Sequence, residues 1–223
     1  MPPVITIDGP SASGKGTVAQ VVARALGFHY LDSGALYRVV GVAGMNANAS
    51  LDSEAEMLAI LLKINIKFKE GLVMLNGCDV TDAIRTEAAS AAASRVAAHA
   101  SLRTALLDRQ HAFRVEPGLV ADGRDMGSVV FADAILKIYL TASVEERAQR
   151  RYKQLIDKGL NANMTALLQD IRSRDERDGN RAAAPLKKCP GAVEIDTTGM
   201  PAEQAAARVL ALYRQVRQAH QVP

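Results

Sequence analysis

The sequence has little of what several protein classes are built from. Tryptophan is absent and aromatic residues make up 4% of the 223 residues, which disfavours binding of single-stranded nucleic acid by base stacking. Its two cysteines, Cys78 and Cys189, lie far apart without CxxC spacing. We therefore expect neither a disulfide framework nor a zinc site, and a reducing cytoplasm suits the chain. No apolar run is long enough to span a membrane, and residues 1–4 do not resemble a signal peptide.

The basic residues are mostly arginine. The net charge is +3, and the 27 basic residues are 18 arginines and 9 lysines. So small a surplus is a weak argument for binding DNA. An arginine-rich surplus fits bidentate recognition of phosphate or carboxylate groups. Compositional bias, which the many alanines also suggest, is the alternative explanation.

Short apolar segments alternate with helical patterns along the chain. The first, residues 4–7, precedes a glycine-rich turn and a helix in which Val18, Val22 and Leu26 recur, with Gly27 as a plausible C-cap. Alternating strands and helices predict an α/β fold with a parallel sheet flanked by helices. Five strands are expected, at residues 4–7, 28–31, 118–121, 135–140 and 192–195. Later helices are predicted to begin at the capping box of Ser143 and Glu146 and near Pro201.

Residues 63–82 break this pattern. Ile64, Ile66 and Phe68 alternate with polar residues, and Asn76-Gly77 is a strong hairpin signal. The segment predicts a small three-stranded antiparallel meander inserted in the α/β protein. Its position between helical segments favours a separate subdomain over a decorative hairpin.

Residues 9–17 have the composition of a phosphate-binding loop. Residues 9–15 fit the spacing G-x-x-x-x-G-K, between a buried strand and an amphipathic helix. Glycines let backbone N–H groups wrap around anionic oxygens, and the helix N-terminus adds partial positive charge. The motif predicts binding of ATP or another nucleoside triphosphate. The residues are Gly9, Pro10, Ser11, Ala12, Ser13, Gly14, Lys15, Gly16 and Thr17.

Two residues are candidates for holding Mg²⁺ with the nucleotide. The strict motif has a hydroxyl directly after the lysine, but here Gly16 intervenes, so the hydroxyl is assigned to Thr17. Asp122 follows the third predicted strand, where an acid acting on Mg²⁺ through water would lie. The motif by itself does not specify the reaction.

Two polar segments follow predicted strands and should face the same sheet edge as the loop, because ligands bind beyond the carboxyl ends of parallel strands. In the first, Ser33 and Arg38 could hold an anion, although Asp32-Ser33 could also only cap a helix. In the second, Arg124 and Asp125 would point into the cleft or form a structural ion pair.

Two further groups are less specific. Arg174, Asp178 and Arg181 are spaced as one helix face, for which a solvated salt-bridge ladder is the ordinary explanation. Basic residues of the helix opened by Ser143 could close over a triphosphate or form a solvated face. These are Arg147, Arg150 and Arg151.

Taken together, these segments resemble the cytidylate kinase family of the nucleoside monophosphate kinase superfamily. The matching stretches are ITIDGPSASGKGT, LDSGALYR, IRTEAASAAASRVA, ADGRDMGSVVF and RDERDGNRAAAPLK, in residues 4–188. The resemblance implies transfer of the ATP γ-phosphoryl group to CMP or dCMP, giving ADP and CDP or dCDP, in pyrimidine nucleotide metabolism. It also implies one phosphate-loop kinase domain with a core (1–32, 84–146 and 164–223), a monophosphate-binding insert region (33–83) and a short lid (147–163).

The resemblance also implies roles for individual residues. Lys15, Arg124, Arg174 and Arg181 would be catalytic, with Arg181 stabilising the transferring phosphoryl group. The loop, Arg147 and Arg151 would bind ATP. The CMP-binding set would be Ser33, Arg38, Ser94, Arg103, Arg124, Asp125, Arg174, Asp178 and Arg181. Ser94, Arg103 and Asp125 would read the cytosine, and Asp178 would accept from the ribose hydroxyls.

Ala12 stands where the family often has glycine, and the methyl group should be tolerated if the φ of this residue is negative. Small molecules are the expected partners, with no nucleic acid and no membrane, and we expect a cytoplasmic monomer. Three alternatives remain open: a kinase of UMP or AMP, a non-catalytic phosphate-loop switch with a protein partner, and a nucleic-acid binder with a steep salt dependence. A second anion site argues against the switch.

Overall fold

The computed structural model describes residues 1–69, 71–157 and 159–219, without the side chain of Lys69. Its strands are β1 (Val4–Asp8), β2 (His29–Asp32), β3 (Ile66–Lys69), β4 (Leu72–Leu75), β5 (Cys78–Asp79), β6 (Leu119–Gly123), β7 (Leu136–Thr141) and β8 (Val193–Asp196). Its α-helices are α1 (Lys15–Leu26), α2 (Ser33–Asn46), α3 (Glu54–Lys63), α4 (Glu87–Val96), α5 (Ala100–His111), α6 (Val144–Asp157), α7 (Met164–Asn180) and α8 (Ala202–Ala219).

The chain divides into two compact units. The first contains Met1–Leu31 and the described residues from His111 onward, and the second is Asp32–Gln110. No helix in the described part of the chain is both long and apolar enough to cross a membrane.

The first unit is built around the predicted five-stranded parallel sheet, whose strand order is β2-β6-β1-β7-β8. The central strand β1 pairs in parallel with β6 and β7, which sets Ile7 beside Asp122 and Asp8 beside Gly123. This register places the polar ends of β1 and β6 at one sheet edge. All five predicted strands are confirmed, each within about two residues at either end.

Helices α1 and α8 cover the sheet with apolar side chains. Val18 and Val22 of α1 and Val209 of α8 are buried in one cluster with Ile7 and Ile138 of the sheet. Burying each such side chain contributes about 1.5–3 kcal/mol, so this cluster stabilises the sheet against both helices. Gly27 ends α1 at φ 67, as predicted for a C-cap. The loop between β1 and α1 is thus held at both ends by the core.

The second unit holds the predicted meander and the helices around it. Strands β3, β4 and β5 form an antiparallel three-stranded sheet. Asn76 and Gly77 form its second turn with φ 51 and 85, which is the left-handed pair that an Asn-Gly hairpin requires. Helices α2 and α4 pack so closely that a Cβ on Gly41 would lie 2.8 Å from the Cβ of Ala92.

Three helix ends agree with the sequence patterns. The Ser143 hydroxyl accepts from the Glu146 backbone N–H at 3.2 Å, as in a capping box, and α8 begins directly after Pro201. Helix α7 ends at Asn180, and Arg181 has φ −62 and ψ 140. Arg181 is thus the C-cap residue of α7, and its N–H still donates to the Arg177 carbonyl at 3.1 Å, so the spacing of Arg174 and Asp178 continues to the helix end.

Candidate functional site

The predicted phosphate loop lies between β1 and α1, and its backbone leaves a helix N-terminus open. Gly14 occupies the N-cap position at φ 88 and, as a glycine, has no side chain that could cap the helix. The first N–H groups of α1 therefore have no acceptor on the N-cap side chain, and they carry the positive end of the helix dipole. Gly9 is packed so closely that a Cβ would lie 2.0 Å from the Leu140 carbonyl oxygen. The loop has the geometry of an anion site.

Polar side chains of the loop have donor capacity that the protein does not use. The hydroxyl groups of Ser11 and Ser13 are buried and, within the described residues, have no hydrogen-bond partner. The Lys15 ammonium donates to the Pro10 carbonyl at 3.1 Å, so the lysine folds back over its own loop. Buried hydroxyls without a partner cost free energy. Phosphate oxygens of ATP would satisfy them, so the loop fits this ligand.

The structure corrects the expectation for Ala12. Its φ is 57, so the condition of a negative φ, under which a methyl group is free of strain, is not met. A non-glycine residue in this conformation costs about 1–2 kcal/mol, because its Cβ approaches the following carbonyl oxygen. The loop keeps the turn that a glycine would adopt more easily, and Ala12 carries the strain.

Asp122 lies next to the beginning of α1. It is 4% exposed, and its Oδ2 accepts from the Tyr30 hydroxyl at 2.8 Å. The same oxygen would lie 3.1 Å from a Cβ on Gly16, which places it beside the loop. Thr17 is exposed in the first turn of α1. A carboxylate and a hydroxyl are the oxygen donors that Mg²⁺ prefers, so these residues fit the ion.

Arg147 is engaged with the protein itself. Its guanidinium group donates to the carbonyls of Ala142 and Ser11, at 3.0 and 3.2 Å. It also forms a bidentate ion pair with the Asp175 carboxylate. The side chain is 4% exposed. Arg147 therefore anchors the phosphate loop through its hydrogen bond to the Ser11 carbonyl. Arg151, one turn further on, contacts Gln154 at 3.3 Å.

Arg150 also anchors the loop. From the sequence, Arg150 is identified only as one of the basic residues of this helix. It donates to the Ser13 carbonyl at 3.2 Å and to the Thr197 carbonyl at 2.5 Å. The Thr197 hydroxyl also donates to the Ser13 carbonyl at 3.1 Å. Thr197 is 184 residues from Ser13, and no pattern in the sequence links them. Only the fold shows this contact.

An arginine cluster surrounds Asp178 at the end of α7. Arg124 donates through Nε to the Asp178 carboxylate at 2.8 Å, and this carboxylate is 4% exposed. Burial alone would raise the pKa of Asp178, but the positive charges of Arg124, Arg174 and Arg181 outweigh it and lower that pKa. The fold thus brings together four of the predicted residues. Three guanidinium groups against one carboxylate leave a positive surplus suited to a phosphate group.

Asp125 follows Arg124 and is 3% exposed. It occupies the N-cap position of a short π-helical turn, Met126–Val130, but its side chain makes no capping hydrogen bond. Its carbonyl accepts from the N–H groups of Val129 and Val130 at 2.9 and 3.2 Å. Asp125 is therefore fixed by its backbone and does not cap the turn with its carboxylate.

In the second unit, α2 begins at the predicted anion-binding segment. The Asp32 carboxylate caps the helix by accepting from the Ala35 N–H at 2.9 Å, and it also accepts from Arg38 at 2.6 Å. Ser33, the first residue of α2, is 3% exposed. The capping role predicted for this segment is confirmed. The same contact holds Arg38 at the helix N-terminus, where an anion would be favoured.

Ser94 and Arg103 lie on α4 and α5 of the same unit. Arg103 is 8% exposed, donates to the Ala97 carbonyl at 3.4 Å, and lies over the Tyr37 ring, 5.8 Å from its centroid. The Ser94 hydroxyl is buried and, in the described part of the chain, makes no hydrogen bond. A buried hydroxyl without a partner is the feature expected of a ligand contact.

Comparison with known proteins gives a consistent result. The sequence profile of the family described as "Cytidylate kinase" matches residues 5–215. The chain is 54% identical over 217 residues to a cytidylate kinase of Nitrosomonas europaea, covering 97% of both chains. It is 57% identical over 217 residues to a cytidylate kinase of Burkholderia thailandensis, covering 97% of this chain and 95% of the relative.

A solved structure gives the fold independently. A gluconokinase from Sinorhizobium meliloti 1021 superposes with a TM-score of 0.51 at 17% identity, covering 98% of this chain and 96% of its own. At that identity the likeness concerns the architecture alone, and it agrees with the α/β fold described above. The profile and the two relatives extend over nearly the whole sequence, and the chain therefore belongs to the cytidylate kinase family.

Proposed function

We propose that this protein transfers the γ-phosphoryl group of ATP to CMP or dCMP, with ADP and CDP or dCDP as products. As a member of the cytidylate kinase family, the chain is a nucleoside monophosphate kinase, and ATP is its co-substrate. The observation that carries the proposal is the phosphate loop of residues 9–17. It opens onto the uncapped N-terminus of α1, in a chain that matches its relatives over 97% of its length.

ATP is held by the loop in this proposal. The backbone N–H groups at the start of α1 and the hydroxyls of Ser11 and Ser13 bind phosphate oxygens, and Lys15 turns from the Pro10 carbonyl to the β- and γ-phosphates. Arg147 acts on ATP by holding the Ser11 carbonyl. Arg151, one turn further along α6, is assigned to ATP as well. Residues 147–163 are the lid.

The acceptor is bound by the predicted CMP set in this proposal. Ser33 and Arg38 bind the phosphate of CMP, and Asp178 accepts from the ribose hydroxyls. Ser94 and Arg103 read the cytosine edge together with Asp125. Arg124, Arg174 and Arg181 supply positive charge to the phosphate groups, with Arg181 assigned to the group in transfer.

Phosphoryl transfer between these groups needs positioning more than proton transfer. The attacking atom is a phosphate oxygen, which is already anionic at neutral pH, so no general base is required. Negative charge spreads over the transferred oxygens in the transition state, and fixed guanidinium groups stabilise it without reorganisation. When bound, Mg²⁺ neutralises charge on the β- and γ-phosphates. The Thr17 hydroxyl and the Asp122 carboxylate are the proposed protein groups that hold it.

We further propose that the chain works as a cytoplasmic monomer without binding nucleic acid. Two free cysteines, one of them exposed, support a reducing compartment. Light scattering after size exclusion tests the oligomeric state. A filter-binding assay with DNA at two salt concentrations tests the nucleic-acid alternative.

The reaction is tested with a panel of acceptors in a coupled assay of ADP release. CMP, dCMP, UMP and AMP are offered with ATP and Mg²⁺, and ATP without an acceptor measures hydrolysis. We expect CMP and dCMP to be phosphorylated fastest and hydrolysis to be slow. Faster turnover of UMP or AMP would contradict the assignment of the acceptor. Negligible turnover of every acceptor would contradict the kinase reaction itself and favour a nucleotide-binding switch.

Matched lysine variants separate the loop from general effects of charge. Lys15→Met removes the ammonium group of the phosphate loop, and Lys63→Met removes an exposed lysine from the last turn of α3. We expect Lys15→Met to lose roughly a hundredfold or more in kcat, while Lys63→Met stays near the wild-type value.

A further inference from the structure

Asp8 is a buried carboxylate to which the reaction described above assigns no role. It is the last residue of β1, directly before Gly9 of the phosphate loop, and it is 5% exposed. A buried carboxylate costs free energy unless its oxygens accept hydrogen bonds. Its partners therefore indicate what it does.

Both oxygens of Asp8 bind one turn of backbone. Oδ1 accepts from the Met126 N–H and Oδ2 from the Gly127 N–H, each at 2.8 Å. Those N–H groups are the first two of the π-helical turn Met126–Val130. The side chain of Asp125, the N-cap residue of this turn, makes no capping hydrogen bond. Asp8 thus caps this turn from another strand, across 118 residues of sequence.

Close packing against β1 holds the turn in addition to these hydrogen bonds. A Cβ on Gly127 would lie 2.7 Å from the Thr6 hydroxyl and 3.3 Å from the Cys189 sulfur. The backbone of Gly127 therefore approaches the strand as closely as the absence of a side chain allows. Shifting this turn would also shift Arg124 and Asp125, which directly precede it in the chain.

We propose that Asp8 is a positioning residue for the acceptor site, which fixes the direction of Arg124 and Asp125 by holding the turn that follows them. The inference rests on the proposed function, because those two side chains matter for CMP only if CMP is the acceptor. Asp8 acts through the backbone of Met126 and Gly127 and touches neither nucleotide.

The electrostatic surroundings of Asp8 make this contact sensitive to pH. Burial raises the pKa of Asp8 to about 6, against the lowering effect of the Gly127 and Met126 N–H groups; the Asp125 charge raises it and the Arg124 charge lowers it. Two further titratable residues, Lys137 and Cys189, also lie against this turn. Protonation places an O–H where an N–H already points, so one of the two hydrogen bonds is lost.

The kinetic test compares Asp8→Asn with Ile5→Val. Asparagine keeps one acceptor but points an amide N–H at a backbone N–H. Ile5→Val removes one methyl group from a buried residue of the same strand, which packs in the cluster with α1 and α8. We expect Asp8→Asn to raise the KM for CMP roughly tenfold or more and to leave the KM for ATP within about twofold. Both KM values of Ile5→Val should stay within about twofold of the wild-type values.

Two outcomes would overturn the proposal. One is a KM for CMP in Asp8→Asn that matches that of Ile5→Val, and the other is an equal rise in the KM values of CMP and ATP. Wild-type protein that phosphorylates no monophosphate would instead contradict the proposed function, and the same assay shows this separately.

The pH profile gives a readout that a merely structural role would not move. The wild-type to Asp8→Asn ratio of kcat/KM for CMP should shrink as the pH falls through about 6, because protonated Asp8 then resembles asparagine. Titration of the CMP phosphate, which also lies near pH 6, affects both proteins and cancels in the ratio. A ratio that is constant from pH 7.5 to 5.5 would contradict the proposal.

A measurement on wild-type protein serves if Asp8→Asn does not fold. In ¹⁵N-labelled protein, the amide resonances of Met126 and Gly127 should shift with a midpoint near pH 6, and the Arg124 Nε–H resonance should follow with the same midpoint. An Arg124 resonance that ignores this titration would show that Asp8 does not position the arginine.

Discussion

The raised pKa of Asp8 predicts an unusual dependence of stability on pH. Asp8→Asn is the perturbation, because asparagine has nearly the same shape and does not titrate. The folded chain has an Asp8 pKa of about 6, against an ordinary value of 3.8. The folded state therefore binds this proton more tightly than the unfolded state does. The contribution of Asp8 makes the wild-type protein more stable as the pH falls below about 6, until the unfolded chain is protonated near pH 4.

The magnitude follows from those two values. Over the full range the stabilisation amounts to about 3 kcal/mol, at about 1.4 kcal/mol for each pH step between the two pKa values. Between pH 7 and pH 5 the contribution is about 1 kcal/mol. Other carboxyls work in the opposite direction at lower pH, since Arg114 lowers the pKa of Asp133 and the arginine cluster lowers that of Asp178. They are present in both proteins and cancel in the difference.

The assay is urea unfolding followed by circular dichroism, because the chain has no tryptophan to report by fluorescence. The free energy of unfolding is measured at pH 7, 6 and 5 for wild type and Asp8→Asn. We expect the difference in unfolding free energy, wild type minus variant, to grow by about 1 kcal/mol from pH 7 to pH 5. A difference that stays constant, or that shrinks as the pH falls, would refute the reasoning.

Three further predictions concern the loop and the arginine cluster. Arg181→Ala should lower kcat roughly a hundredfold or more, since it removes charge from the transferring group; near-normal turnover in the coupled assay would contradict the role. Ala12→Gly should raise the free energy of urea unfolding by about 0.5–1 kcal/mol, since relief of the left-handed strain exceeds the added freedom of the unfolded chain. Arg150→Lys keeps the charge but cannot hold the Ser13 and Thr197 carbonyls together, so the KM for ATP should rise severalfold while the KM for CMP stays the same. Equal changes in both constants would show that Arg150 does not act through the phosphate loop.

Local patterns predicted the elements of this fold well, because each depends on neighbouring residues. The buried run at 4–7, the Asn76-Gly77 turn and the capping residue Ser143 act within a few positions of themselves. The prediction failed where a conformation depends on distant atoms. Ala12 is held at a positive φ by the loop around it, a conformation that its own Cβ disfavours.

The candidate site shows the same division. The composition of residues 9–17 predicts a phosphate loop, since only glycine, hydroxyl and lysine groups suit close backbone contact with an anion. The roles proposed for Ser94 and Arg103 came from resemblance to a family, and no spacing indicated them. Nothing in the local sequence showed that Arg147 would turn to Asp175 and Ser11, or that Tyr30 would donate to Asp122.

The sequence by itself determined the order of strands and helices, the phosphate loop and the family, because these are written in short segments and their succession. Only the tertiary structure decided how the charges are paired. Arg124, Arg174 and Arg181 share one carboxylate, Arg150 joins two loops, and Asp8 holds a turn more than a hundred residues away. Such pairing depends on which side chains the parallel register and helix packing bring within hydrogen-bond distance. The separation of two residues along the chain does not show whether their side chains are paired in this way.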